Sequence, residues 1–147
     1  MDLNECLKKG LIKKTEVNKE LVKSLIEMSK IKETAVNTAK INEVNISAYA
    51  SLAYDSLREI LEALCILNGY KVISHVCIGE LLKTIIKDFD YEDFDRVRYI
   101  RNGINYYGTK IEFEQGKGLI RKIFIIKNKI LNNYVKKGLS NGNNEYG

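Results

Sequence analysis

Leu119-Ile120-Arg121-Lys122-Ile123-Phe124-Ile125-Ile126-Lys127-Asn128-Lys129-Ile130-Leu131 holds the choice of fold. Its centre, Ile123 to Ile126, reads alone as a strand, because β-branched and aromatic side chains suit a pleated sheet. Its flanks, Arg121-Lys122 and Lys127 to Lys129, continue a helical period instead. Leu119, Ile120, Ile123, Phe124, Ile126, Ile130, Leu131 and Tyr134 then form one broad apolar face. The longer pattern decides: a helix opens near Glu112 or Glu114 and closes before Gly138.

Working outward, the same period recurs along the chain. A short helix over Leu3 to Lys9 ends at Gly10, where a glycine can turn the chain out of the helix. A long helix follows from about Val17 to Lys40, with Leu21, Leu25, Met28, Ile31 and Ala35 as its apolar stripe. The next opens at Asn45 or Ser47 and runs to Asn68 before Gly69, with Tyr49, Ala53, Leu57, Ile60, Leu61, Leu64 and Leu67 in line. Ser74 reads as the cap of a helix reaching about Lys87. Asp90 reads as the cap of another, Tyr91 to Tyr107, with Glu92 and Asp93 where the helix dipole favours acids. No proline interrupts any of them. The expected fold is all-α, an up-and-down bundle of about five helices, with short connections at 69–73, 88–90 and 108–112. One domain is expected over 1–138, followed by an Asn/Gly-rich flexible tail over 139–147.

The bulk numbers bound the class. With 147 residues, 45% hydrophobic and 29% charged, the chain is the size and composition of one soluble domain. No apolar run approaches the roughly 20 residues of a membrane span. The polar start Met1-Asp2-Leu3-Asn4-Glu5 is not a secretory leader, so a cytoplasmic location is expected. Cys6, Cys65 and Cys77 are scattered and form no CxxC pair, and the single histidine cannot complete a zinc site with them. They are expected to be reduced thiols, mostly buried, and neither a metal nor a cofactor is expected. The net charge of +5 comes mainly from lysine. A weak nucleic-acid footprint would produce it, but so would the Lys, Ile and Asn bias of the whole chain, and the compositional explanation is preferred.

The unusual stretch is Arg101-Asn102-Gly103-Ile104-Asn105-Tyr106-Tyr107-Gly108. On a helical wheel, Phe94, Val97 and Ile104 share a stripe, and Arg101 falls within it, with Arg98 and Asn105 at its border. A guanidinium amid apolar side chains must be paired or must face a cleft or a partner. Here the chain resembles the HEPN superfamily of RNA-handling helical proteins. That family's motif is an arginine, often followed by asparagine, with a histidine four to six residues later, near the end of the fourth bundle helix. Arg101-Asn102 matches its start. The segment Leu57-Arg58-Glu59-Ile60-Leu61-Glu62-Ala63-Leu64-Cys65-Ile66-Leu67-Asn68-Gly69 and the following Tyr70 to His75 are also similar, and the likeness covers about residues 15 to 137.

The resemblance implies a metal-independent ribonuclease in active members. The arginine engages the scissile phosphate, and the histidine moves the proton of the ribose 2′-hydroxyl. Histidine titrates near neutrality, and arginine supplies a fixed fork for phosphoryl charge. This chain departs at the decisive place. Five or six residues after Arg101 stand Tyr106 and Tyr107, and no histidine follows Arg101. An ordinary tyrosine is a poor base at pH 7. In some members a tyrosine two places after the histidine is adenylylated; that place here is Gly108, with Tyr106 and Tyr107 only nearby. The resemblance therefore implies a non-catalytic or weakly catalytic member, paired with a small nucleotidyltransferase in a two-gene toxin–antitoxin-type system. The alternatives are a metal-independent endoribonuclease, or a nucleotide- or RNA-binding module lined by Arg98, Arg101, Asn102, Tyr106 and Tyr107. The candidate catalytic residues are Arg101, Asn102, Tyr106 and His75. A homodimer through the face around Arg101 is expected, because arginine and tyrosine are common interface anchors.

Other candidates read more plainly. His75 stands near a helix start; it is a displaced acid–base partner for Arg101 or, preferably, a residue packed on the preceding helix. Asp55, Glu59 and Glu62 are placed to pair with Arg101 or Arg98, or to form a salt-bridged face rather than a metal site. Asp88 to Asp95 lacks EF-hand spacing and suits a helix start. Gly116-Lys117-Gly118 lacks the upstream glycine of a P-loop.

Overall fold

The structure is a computed structural model that describes residues 1–144, without the side chains of Tyr106 and of 141–144. The elements are α1 (Leu3–Lys8), β1 (Ile12–Lys14), α2 (Lys19–Thr38), α3 (Ile46–Leu67), β2 (Tyr70–Val72), α4 (Ile78–Ile85), α5 (Tyr91–Tyr107), α6 (Phe113–Ile130) and α7 (Lys136–Asn144). The fold is an all-α bundle carrying one two-stranded ribbon. Ile123 to Ile126 lies inside α6, as its flanks require.

Helix α3 is the axis of the molecule. It packs against α2, α5 and α6, and Leu57, Ile60, Leu61 and Ala63 are fully buried on it. Small residues let its neighbours come close. Ser29 of α2 donates to the Ser56 carbonyl at 2.7 Å, both residues fully buried. At Gly116 of α6, a Cβ would lie 2.3 Å from the Ile46 side chain, so only glycine fits that crossing.

The caps follow the local chemistry. Asn18 accepts from the Leu21 N–H at 3.0 Å to open α2, and Asp90 accepts from the Asp93 N–H at 3.1 Å to open α5. Gly108 closes α5 with φ +64°, a left-handed turn that glycine adopts without steric cost.

Five expectations change. The stretch 69–73 is more than a connection, because β2 pairs antiparallel with β1, Ile12 opposite Val72 and Lys14 opposite Tyr70. Ser74 caps nothing with its side chain; a 3₁₀ turn over His75–Cys77 comes first, and α4 ends at Ile85. The last helix does not stop before Gly138. It passes through a π-helical turn, Leu131–Val135, into α7, where Gly138 packs on Leu67. Cys6 and Cys77 are not thiols: they form a disulfide, Cα–Cα 6.0 Å, that ties α1 to the 3₁₀ turn. Cys65 keeps its thiol, and burial pushes it up to about 12. Finally, the stripe read on α2 is not its buried face. Val22, Ser29 and Val36 are buried, whereas Leu21, Met28 and Ile31 are 44%, 46% and 53% exposed.

Among the described residues, no helix is long and apolar enough to cross a membrane.

Candidate functional site: a polar stripe between α3 and α5

Ser51, Asp55, Arg58 and Glu62 follow one another on α3 at spacings of four, three and four residues, so they share one face of the helix. All four are half-buried. From α5, Arg101 and Asn105 meet this face one turn apart, and His75 meets its far end from the 3₁₀ turn.

Arg101 is the centre. Its side chain is only 15% exposed, and Nη2 donates to Asp55 Oδ1 at 3.3 Å. Its guanidinium lies 5.1 Å from the centroid of the Tyr54 ring. With the Asn105 amide turned so that its carbonyl faces α5, Arg101 Nε and Nη2 both donate to it, at 3.0 and 3.1 Å, and its NH₂ donates to Ser51 Oγ at 2.8 Å. The helical wheel required a partner for this guanidinium, and Asp55 is one of the carboxylates anticipated for it. Burial pushes the Tyr54 phenol up to about 12, against the pull of Arg101 and Arg98, so Tyr54 is neutral across the physiological range.

At the other end, His75 Nε2 lies 3.6 Å from Glu62 Oε1, and Arg58 Nε lies 3.8 Å from the same oxygen. Burial lowers the His75 pKa below its ordinary value, and the charges of Arg58 and Arg101 lower it further, while Asp55 opposes them. Burial raises the Glu62 carboxyl, and Arg58 restrains it. Two buried nitrogens, Arg58 Nε and His75 Nδ1, have no hydrogen-bond partner among the described residues. His75 therefore belongs to the same polar cluster as Arg101 but does not touch it through the contacts described.

The other predicted residues part company. Arg98 pairs with Asp95 at 2.7 Å along α5. Asn102 and Tyr107 line a separate cavity of about 440 Å³ between α5 and the connection after it, with Ile104, Thr109 and Gln115. Arg101 and Asn102 thus face different sides of the helix, as neighbours about 100° apart must. The Tyr106 side chain lies outside the described residues, and Tyr107 is 83% exposed. The dimer face expected around Arg101 holds an arginine already engaged within its own chain. Glu59 turns to α2 instead. It is buried and pairs with Lys32 of α2.

Sequence reasoning missed Tyr54, Ser51 and the role of Arg58. The 51-55-58-62 spacing was the available signal. It was masked by the apolar stripe on the opposite side of the same helix.

The cluster has a pH signature. Because the folded His75 pKa lies below 6.5, the unfolded chain binds the proton more readily below that pH. This contribution to stability is therefore present above pH 6.5 and is lost as pH falls through 6.5 toward the folded pKa. Glu62, raised above 4.5, slopes the opposite way, so the wild type must be read against His75→Gln. Urea denaturation at pH 5 and pH 7 is expected to show a larger acid loss in the wild type than in His75→Gln. Equal losses would place His75 outside the linkage.

No protein-family model matches this chain, and no curated protein or solved structure matches it.

Proposed function

We propose that this chain is a HEPN-like helical protein that is non-catalytic or weakly catalytic and works with a small nucleotidyltransferase in a two-gene toxin–antitoxin-type system. One observation carries the first half. Arg101, which matches the family's phosphate-engaging arginine, already serves Asp55 and Asn105 inside its own chain. A carboxylate salt-bridged to a guanidinium offsets the charge that a phosphate would use. The sequence supplies no histidine after Arg101 to complete the family motif. The nucleotidyltransferase partner rests on the resemblance alone, and a cytoplasmic location on the polar residues Met1 to Glu5. Tagged chain expressed from its own operon is expected to co-purify with a nucleotidyltransferase at a fixed ratio. Recovery of free chain alone would reject the partner.

A second reading has its own support. His75 stands in the same cluster as Arg101 with Glu62 beside it, and its lowered pKa keeps the imidazole neutral at pH 7. A neutral imidazole oriented by a carboxylate is a serviceable base for a ribose 2′-hydroxyl. On this reading the chain is a metal-independent endoribonuclease with a displaced base.

A further inference from the structure

Helix α2 carries two stripes. One is buried against α3 and contains Val22, Ser29 and Val36. The other begins just before the helix and consists of Val17, Leu21, Ser24, Met28, Ile31 and Ala35, every one of them exposed. Within the helix, from Leu21 to Ala35, the spacing is three, four, three and four residues, the a/d repeat of a coiled-coil seam. Val17, Leu21, Met28 and Ile31 are 44–53% exposed. A contiguous apolar seam along a helix of about 30 Å is more than scattered surface hydrophobics explain.

The rim of this seam identifies the occupant. On its solvent side lie Glu20, Lys23, Glu27 and Lys30, all exposed and alternating in sign. Turned end for end about a point near Leu25, that pattern complements itself: Glu20 meets the partner's Lys30, and Lys23 meets the partner's Glu27. The same rotation brings Leu21 beside the partner's Met28, with the small Ser24 near the axis. A parallel pairing would instead set the rim against the Leu25–Lys32 edge. There the rim charges would find no partner, because the Lys32 ammonium already pairs with Glu59 of its own chain. We propose that α2 is the homodimer interface of this protein, two copies packing antiparallel through the Val17-to-Ala35 seam. The contact is isologous, so it closes as a dimer. The proposal stands apart from the ribonuclease question, since the polar stripe on α3 takes no part in it.

Light scattering on a size-exclusion column tests it. Wild-type chain at micromolar concentration is expected at twice its 16.8 kDa mass. Leu21→Glu combined with Met28→Glu is expected to run as a monomer with an unchanged far-ultraviolet circular dichroism spectrum, because both side chains are on the surface. Glu27→Lys alone is expected to weaken the dimer about tenfold, since by symmetry it reverses two rim contacts, and Lys23→Glu added to it is expected to restore the affinity. A monomeric wild type would overturn the proposal, including one that captures a helix of another protein. So would a double-glutamate variant that stays dimeric, or a Glu27→Lys variant that binds as tightly as wild type.

Discussion

Lys127→Ala is expected to lower the free energy of unfolding by roughly 3–5 kcal/mol, the range for breaking a buried ion pair by removing one partner. Lys127 is 2% exposed, although it lies on the apolar helix α6. Its ammonium donates to the Ser29 carbonyl at 3.3 Å and pairs with Glu33 Oε1 at 3.4 Å. Asn128 holds the same carboxylate oxygen at 3.3 Å. Burial lowers the Lys127 pKa, and the charge of Glu33 opposes that shift, so the pair is what keeps this ammonium inside the bundle. Alanine would leave a cavity the length of the lysine stem, a carboxylate without its cation and an unbonded carbonyl. Lys127→Met together with Glu33→Gln keeps the volume and removes both charges, so it is expected within about 1.5 kcal/mol of wild type. Urea titrations followed by circular dichroism compare the three proteins; the chain has no tryptophan to report by fluorescence. A cost below about 1 kcal/mol for Lys127→Ala would mean that the ion pair is not buried as described.

Reduction of Cys6–Cys77 is expected to cost about 4 kcal/mol, because the bridge closes a loop across a sequence separation of 71 residues and limits the unfolded chain. Both sulfurs are fully buried, so the loss requires a reductant acting on the opened or denatured chain. Thiol titration in guanidinium is expected to find one free thiol per non-reduced chain, that of Cys65, and three after reduction. Three thiols before reduction would contradict the pairing. The bridge also anchors the turn that carries His75, so its loss is expected to loosen the far end of the polar stripe as well as α1.

What the sequence makes legible follows its local rules. Helix α5 could be read from cap to cap, because Asp90 and Gly108 mark its ends by their own chemistry. The ambiguous Ile123 to Ile126 was settled by the lysines and arginine around it. The partner required by Arg101 was also legible, since burial of a guanidinium demands one. Several misreadings involve pairing across distance in the sequence. Three residues, Tyr70 to Val72, show no alternation long enough to declare a strand, and their partner lies far away at Ile12 to Lys14. The two half-cystines meet only because the fold brings α1 beside the turn before α4. His75 and Glu62 meet for the same reason. On α2 the more hydrophobic stripe faces solvent, and the buried one contains Ser29, so hydrophobicity pointed to the wrong face. Lys127 was counted as a flank of the apolar run, and no local signal says that a lysine will be buried.

Arg101 is held within its own chain, and the proposed function has it serve no phosphodiester cleavage of any consequence. Cleavage of a labelled single-stranded RNA in the presence of EDTA tests it most directly, with wild type, Arg101→Ala and His75→Ala assayed side by side and their folding checked by circular dichroism. The proposed function predicts that all three leave the RNA intact or cut it equally slowly. Cleavage by the wild type that Arg101→Ala or His75→Ala abolishes would contradict it and establish the polar stripe as an active site.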